Sequence, residues 1–271
     1  MTTDMRARAC VGTELHGAPD GRQRSCVSTL RSQAPLLLRL TMPKAREPWV
    51  ADAADVARVS LMAGAGGPVG GDQLMLHVEV GPGSCLVLSE VSPTLLLPGP
   101  HGEQSRTRVR IRVAAGATLI WLAEPVIAAA GCRHLNDVRV ELGEGARFFM
   151  REELLLGRHG EQPGQVTQAV TVRLAGRPLY RQDLFVGVAG DDSPAVTGDH
   201  RAVGSALLVD PGWTGHPPAA QPLLGDSALL PLAGPAAVIT ALAKDNLELR
   251  AQLQAGLTAL GPPWDPVRTD R

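Results

Sequence analysis

Aromatic residues are scarce in this chain: four Trp, one Tyr and three Phe make up 3% of its 271 residues. A β-surface that binds polysaccharides needs stacked Trp and Tyr faces. The scarcity therefore counts against a carbohydrate-active or carbohydrate-binding β-solenoid, which is the alternative function. Lysine is equally rare, with Lys44 and Lys244 against 24 arginines, a bias that a GC-rich genome explains.

Cysteines are few, and none forms a Cys-x-x-Cys pair. The four at positions 10, 26, 85 and 132 are typical of reduced thiols and predict a cytoplasmic protein. There is no apolar run of membrane-spanning length and no signal-peptide core, so we expect no membrane association. The net charge of −1 gives no reason to expect nucleic acid.

The motifs of common enzymes are missing as well. The chain has no Gly-x-Ser-x-Gly elbow, and the absence of His-x-His argues against a cupin-like metalloenzyme. The run from Ala63 to Pro68 is rich in glycine but lacks the Gly-Lys-Ser/Thr ending of a phosphate loop. We predict that the protein is not an enzyme.

The chain repeats a strand, a glycine corner and a second strand. Apolar residues alternate before each corner, as in Leu74, Leu76, Val78 and Val80. The corner glycines at 83, 116, 145 and 176 lie 33, 29 and 31 residues apart. This spacing predicts an all-β fold with a stacked, solenoid-like β body over about 6–234, in a single domain of 1–271. We expect loops and edge pieces in the Gly/Pro/Ala-rich residues 187–235, with short strand candidates at Ala206–Val209 and Ala228–Leu232.

A C-terminal α-helix is predicted over about 235–260. Pro235 suits a first helical position, Gly261 and two prolines end the helix, and an apolar stripe includes Leu242, Leu249 and Leu253. The stripe either packs on the sheet or binds a partner protein.

Four arginines alternate along one strand, so their side chains share one face. They are Arg106, Arg108, Arg110 and Arg112. Neighbouring acids either neutralise this stripe, or the stripe is a docking patch for an acidic protein surface.

Five segments carry a resemblance to a known family. They are Gly21–Arg22 with Leu30–Arg39; Gly67–Asp72 and the strand after it; Ala114–Ala117 with Trp121, Leu122 and Pro125; Glu153 with Leu156–Glu161; and Trp264 with Arg268. In this order and spacing the sequence resembles the UreD family (also called UreH) of urease accessory proteins. The segment 90–98 and the run 121–125 depart from the family pattern, which favours a divergent member.

The resemblance implies a non-catalytic scaffold. Such a protein docks on the urease apoprotein, recruits the accessory proteins UreF and UreG, and lets nickel pass towards the urease active site while UreG hydrolyses GTP. It implies no permanently bound cofactor, only transient Ni²⁺.

Three acidic residues belong to the family motifs, and Glu124, just before Pro125, is a further candidate of the same kind. Asp72, Glu124, Glu153 and Glu161 are candidates to line a nickel route, because carboxylate oxygens suit such a cation. The residues that would shape the two motif loops are Gly70, Gly71, Gly157, Arg158 and Gly160. In the other interpretation, Asp72 caps its own turn and the loop around Arg158 is a solvated turn held by Arg–Glu pairs.

Overall fold

Two facing β-sheets and one α-helix make up the described part of the chain. The structure is a computed structural model that describes residues 4–19, 21–42, 49–50, 55–187, 193 and 196–265. Arg268 lies outside these ranges. The predicted all-β, solenoid-like fold with a C-terminal helix is confirmed. None of the described helical residues forms a segment long and apolar enough to cross a membrane.

The elements are β1 Arg6–Gly17, β2 Gln23–Arg31, β3 Leu36–Leu40, β4 Ala57–Ala63, β5 Gln73–Val80, β6 Cys85–Glu90, β7 Thr94–Leu96, β8 Ser105–Val113, β9 Thr118–Leu122, β10 Val126–Ala128, β11 Arg133–Leu142, β12 Arg147–Leu155, β13 Gln165–Leu174, β14 Arg177–Val186, β15 Ala202–Val209, β16 Gln221–Pro222, β17 Asp226–Pro231, β18 Ala236–Ala243 and α1 Asn246–Leu260.

The seven-stranded sheet has the order β14-β13-β11-β8-β5-β1-β2. Its five central strands are parallel, and β2 and β14 flank them in antiparallel pairs. Its inner face is apolar and its outer face is open, which is why the apolar/polar alternation could be read from the sequence. Valines, leucines and Ile111 of the inner face form the core against the second sheet.

The eleven-stranded sheet follows the path β16-β17-β18-β15-β12-β9-β6-β4-β3, with β7 and β10 beside it. Strands β4, β6, β9 and β12 are parallel, and the strands after β12 are antiparallel. A second core lies between this sheet and α1. There Phe149 stacks between Trp49 and Trp264, with ring centroids 5.9 and 6.0 Å apart.

Three of the predicted glycine corners carry the chain from one sheet to the other. Gly83, Gly116 and Gly145 all have positive φ, a backbone conformation that suits glycine. The corners stack through backbone hydrogen bonds, with Gly116 N donating to Glu144 O at 3.0 Å. The strand–corner–strand repeats therefore form successive turns of a solenoid-like coil.

The fourth predicted corner is wrong, because residues 175–176 form a hairpin inside the seven-stranded sheet. Leu174 pairs directly with Arg177, and both loop residues have positive φ, 48° at Ala175 and 76° at Gly176. Two successive residues of this kind make a type I′ turn, which joins antiparallel strands. The coil stops here because β13 turns back on itself as β14.

The prediction of loops and edge pieces for residues 187–235 is correct for β16, the outermost strand of its sheet, and both strand candidates lie largely in strands, but the prediction is wrong for the position of β15. β15 lies centrally in the eleven-stranded sheet, between β12 and β18. Its small residues misled the prediction, although they serve packing. A Cβ on Gly204 would lie 3.0 Å from the side chain of Leu249, so glycine here lets α1 approach the sheet.

The predicted helix begins at about residue 235, eleven residues before the observed start at Asn246. Ala236–Ala243 is β18, and α1 starts at Asn246 after Asp245, whose carboxylate accepts a hydrogen bond from Glu248 N at 2.9 Å. Val238 and Leu242 fit a strand as well as a helix because a spacing of four satisfies both periods. The missed signal was the Asp245–Glu248 pair, which is typical of a helix N-terminus.

Candidate functional site

A cavity of about 120 Å³ lies between the sheets at the end opposite the glycine corners. The starts of β5, β8 and β11 face the end of β6 and the middle of β12 across it. Its walls are apolar apart from a set of polar groups contributed by both sheets. This set includes Glu90, Thr94, Thr107, Glu124, His134, Asn136, Arg151, Glu152, Glu153 and Gln168.

Two carboxyls of the cavity have strongly raised pKa values. Burial raises the pKa of Glu90 to about 7, and burial likewise raises the pKa of Glu152 to about 7. Glu90 accepts a hydrogen bond from Glu124 N at 3.1 Å. Burial lowers the pKa of His134 to about 4, and this imidazole lies 2.8 Å from the hydroxyl of Ser105. Near neutral pH the cavity thus contains two carboxyls poised between their charged and uncharged forms.

Glu124 and Glu153 meet at two arginines beside this cavity. Arg151 Nε lies 2.7 Å from Glu153, and Arg250 of α1 reaches the other oxygen of Glu153 at 2.9 Å and Glu124 at 2.6 Å. The Glu153 side chain has no exposed surface. Buried carboxylates need such partners, because an unpaired buried charge is costly. Two of the four candidate route residues are therefore neighbours, and both are ion-paired.

Asp72 lies outside this cluster and caps its own turn. One carboxylate oxygen accepts from Met5 N and the other from Val69 N, each at 2.9 Å. The turn is crowded: a Cβ on Gly70 would lie 2.4 Å from Gly99 N. Gly71 has a positive φ of 95°. These contacts join the start of β1 to the start of β5.

We expect Asp72→Asn to lower the free energy of unfolding by about 1–3 kcal/mol. Both oxygens of Asp72 accept a backbone N–H, so the amide nitrogen of asparagine would face a donor. Chemical denaturation measures the effect, and the exposed Asp183→Asn is the matched control, with less than about 0.5 kcal/mol expected. Equal stability of the two variants would contradict the capping role.

Glu161 holds the second motif loop. Its carboxylate pairs with the guanidinium of Arg158 and accepts Arg158 N at 3.2 Å, and this pairing lowers the pKa of Glu161 to about 2. It also accepts Ala130 N at 3.4 Å. Gly157 and Gly160 have positive φ, and a Cβ on Gly157 would lie 2.9 Å from Glu161 O. The loop is therefore held by an Arg–Glu pair and its backbone.

The arginine stripe lies on the open face of the seven-stranded sheet, as predicted. Arg110 is neutralised by Asp137, with Nη2 and Oδ2 2.6 Å apart. Arg112 lies in register between Glu79 and Glu141. The end of the stripe at Arg110 and Arg112 is therefore neutralised more than the end at Arg106 and Arg108.

The predicted apolar stripe of the helix is divided in the structure. Leu249 and Leu253 are 0% and 2% exposed and pack against the eleven-stranded sheet. Leu242 lies in β18, on the side facing away from α1 together with Val238. The packing interpretation is thus correct for the two helical leucines, and a partner-facing stripe of these three residues is wrong.

Glu90 and Arg250 were missed by the sequence reasoning. Glu90 follows Leu86 and Leu88 at every second position, so the alternation alone placed a carboxyl on the inner face. Arg250 gave no such signal, because its partners are 97 and 126 residues away in sequence. Among the described residues, no three His, Cys, Asp or Glu side chains form a cluster that could hold a metal ion.

The fold and the site define a class: a coiled, two-sheet β-protein with a carboxylate-lined cavity between its sheets. Comparisons with known proteins identify the family within this class. Residues 8–267 match the family model described as UreD urease accessory protein. A "Urease accessory protein UreD" of Streptomyces avermitilis is 40% identical over 261 residues, covering 95% of this chain and 98% of that protein. Relatives of the same name in Streptomyces coelicolor and Frankia casuarinae are each 38% identical; they cover 89% and 94% of this chain, and 92% and 89% of their own lengths.

The chain belongs to the UreD family of urease accessory proteins. The sequence resemblance is thereby confirmed.

Proposed function

We propose that this protein is a non-catalytic scaffold for urease maturation. It docks on the urease apoprotein, recruits UreF and UreG, and provides a passage through which Ni²⁺ moves towards the urease active site as UreG hydrolyses GTP. Family membership supports the role in urease maturation. The carboxylate-lined cavity between the sheets is the observation that supports nickel passage.

Nickel is cargo in this proposal and has no resident site. A cation that enters a partly dehydrated cavity needs oxygen ligands in place of water. Glu90 and Glu152 supply oxygens that exchange protons near pH 7, while Glu124 and Glu153 lie beside them, held by arginines. A carboxylate engaged by arginine binds a cation weakly, which suits transit rather than storage.

Asp72 and Glu161 have a different part in this proposal. Their carboxylates are occupied by backbone N–H groups and by Arg158, so each residue holds its own turn or loop. Pro68, four residues before Asp72, lines the cavity. Asp72 therefore supports one wall of the route, and neither residue coordinates the ion.

The alternative of a carbohydrate-binding β-solenoid gains no support from the surface. The four Trp residues and Tyr180 are buried or half-buried in the structure, and Phe185 is the one strongly exposed aromatic among the described residues. A single exposed ring gives no stacking platform for a sugar chain.

Deletion of the gene in a urease-positive host is expected to leave normal amounts of urease protein that lacks nickel. The measurement is the nickel content of purified urease from cells grown at limiting nickel. Complementation with Glu124→Gln should restore less nickel than complementation with Glu141→Gln, a matched change of an exposed carboxylate on the outer sheet face. Full urease activity in the deletion strain would refute the proposed function, and equal nickel with both variants would remove Glu124 from the route.

A further inference from the structure

On the outer face of the seven-stranded sheet, β1 contributes arginines in addition to those of the central strand β8. In the parallel register, Gln73 of β5 lies between Arg6 of β1 and Arg106 of β8, and Met75 lies between Arg8 and Arg108. Residues in register on parallel strands point to the same side of the sheet. The four arginines therefore surround the two β5 side chains.

The spacing of these strands sets the dimensions of the arrangement. Residues two apart along a strand are about 7 Å apart, and positions two strands apart are about 10 Å apart. Between the arginines lies a shallow groove of about 350 Å³, whose lining includes Arg6, Arg8, Gln33, Gln73, Met75 and Arg108. We call this the arginine groove, and we include Arg106 at its edge.

Hydrogen bonds hold the β1 side of the groove in place. The amide of Gln33 accepts from Arg8 N and donates to Arg6 O, each at 3.1 Å, where β1 extends beyond its pairing with β2. Asp72 binds Met5 N, and Met5 O accepts Gln73 N at 2.8 Å. Two arginines are thus presented from a strand fixed at both edges, which lowers the entropic cost of binding.

Two aspartates of this face pair with arginines outside the groove. Asp137 pairs with Arg110 at 2.6 Å and with Arg139 at 3.2 Å, and Asp183 pairs with Arg181 at 3.0 Å. Arg8 contacts the imidazole of His77 at 3.0 Å. Burial, Arg8 and Arg110 lower the pKa of this imidazole. His77 therefore does not supply a negative charge that would neutralise Arg8.

Within the described ranges, no carboxylate lies within ion-pair distance of Arg6, Arg106 or Arg108. A carboxylate that reached the groove would therefore find guanidinium groups without a competing acid.

We propose that the arginine groove binds an acidic, extended segment of a partner protein. Guanidinium groups form bidentate pairs with carboxylates, and alternate side chains of an extended peptide are also about 7 Å apart. A peptide with acidic residues at every second position therefore matches the arginine spacing along each strand. The inference rests on the proposed function in naming the chemistry of one of its partners, but binding can be measured with the purified chain alone.

The groove suits a peptide better than a nucleic acid. Single strands are bound on aromatic side chains beside a basic track, and the lining of this groove contains no aromatic residue. The chain as a whole carries a net charge of −1, so the positive charge is local.

The test is fluorescence anisotropy with a labelled peptide of alternating glutamate and threonine, against the same peptide with glutamine in place of glutamate. Arg106→Gln/Arg108→Gln should weaken binding of the acidic peptide at least tenfold, since two bidentate pairs are lost. The control Arg112→Gln/Arg181→Gln removes two charges from the same face, from residues with acidic neighbours, and should change the affinity less than twofold. Circular dichroism verifies that both variants are folded.

Three results would overturn the proposal. Equal weakening by both double variants would mean that the charge of the whole face acts, without a groove. Tighter binding of a thymidine oligonucleotide, lost in the groove variant, would identify a nucleic-acid site. Self-association that disappears in the groove variant, measured by sedimentation, would make a second copy of the chain the occupant. If the peptide binds as expected while the deletion strain still makes nickel-loaded urease, the groove stands and the proposed function fails.

Discussion

Glu90→Gln/Glu152→Gln is expected to melt roughly 5–10 °C higher than the unchanged chain at pH 8 and at the same temperature near pH 4.5. Each carboxyl has a pKa raised from 4.5 to about 7 because burial penalises its charged form. Between these values the folded state holds more protons than the unfolded state. The free energy of unfolding therefore falls as the pH rises from 4.5 through 7.

Glutamine removes this dependence because it stays neutral at every pH. It also keeps an oxygen that can accept Glu124 N, as Glu90 does. The groups that face the two carboxyls are Arg151, Glu124, Trp121, Gln168 and Tyr180, and they are unchanged in the variant. Arg151 and Tyr180 interact with the carboxyl charges but do not titrate between pH 4.5 and 8.5, so the pH dependence of the difference between the two melting curves reports on the pair.

Differential scanning calorimetry over pH 4.5–8.5 measures this difference. The exposed Glu79→Gln/Glu141→Gln is the matched control, and its difference from the unchanged chain should not vary in this way with pH. If the cavity variant and the unchanged chain had the same melting temperature at pH 8, burial would not penalise the charged forms of the two carboxyls. The cavity would then have to be fully hydrated and open to the solvent.

Much of the fold could be predicted because the outer face of the seven-stranded sheet is exposed. Exposure on one side produces alternation, and Leu74–Val80 shows it along the full strand. The errors arose where both faces are covered. Ala236–Ala243 lies between the inter-sheet core and α1, so its two faces are both apolar and its period was ambiguous.

The candidate site was less predictable, because its geometry depends on pairs distant in sequence. The motif residues Asp72 and Glu161 were singled out as candidates for the nickel route, and their local hydrogen bonds show structural contacts. The capping and Arg–Glu alternatives described these contacts. Glu124 and Glu153 both contact Arg151 of β12, and α1 adds a second link when it packs against β12 and brings Arg250 to both carboxylates. No local pattern contains that contact.

Arg250→Met should lower the free energy of unfolding by about 2 kcal/mol, less than the loss of a fully buried pair, because the Arg250 side chain is 37% exposed. The side chain of Arg250 is the link from α1 to both carboxylates, and methionine keeps much of its apolar stem while removing the charge. Glu153 would retain Arg151 alone, at 2.7 Å, with no exposed surface through which water could replace the lost partner. Chemical denaturation followed by circular dichroism gives the value.

Arg181→Met is the control, because Arg181 pairs with Asp183 on the exposed sheet face, where an ion pair contributes less than about 1 kcal/mol. Combining Arg250→Met with Glu153→Gln completes a double-mutant cycle. The double variant should be more stable than the sum of the single changes predicts, since no buried carboxylate is then left underpaired. A purely additive cycle would mean that Arg250 acts through its stem alone. Apolar packing would then hold α1 to the sheet at this point, and the charge of Arg250 would not stabilise the carboxylates of Glu124 and Glu153.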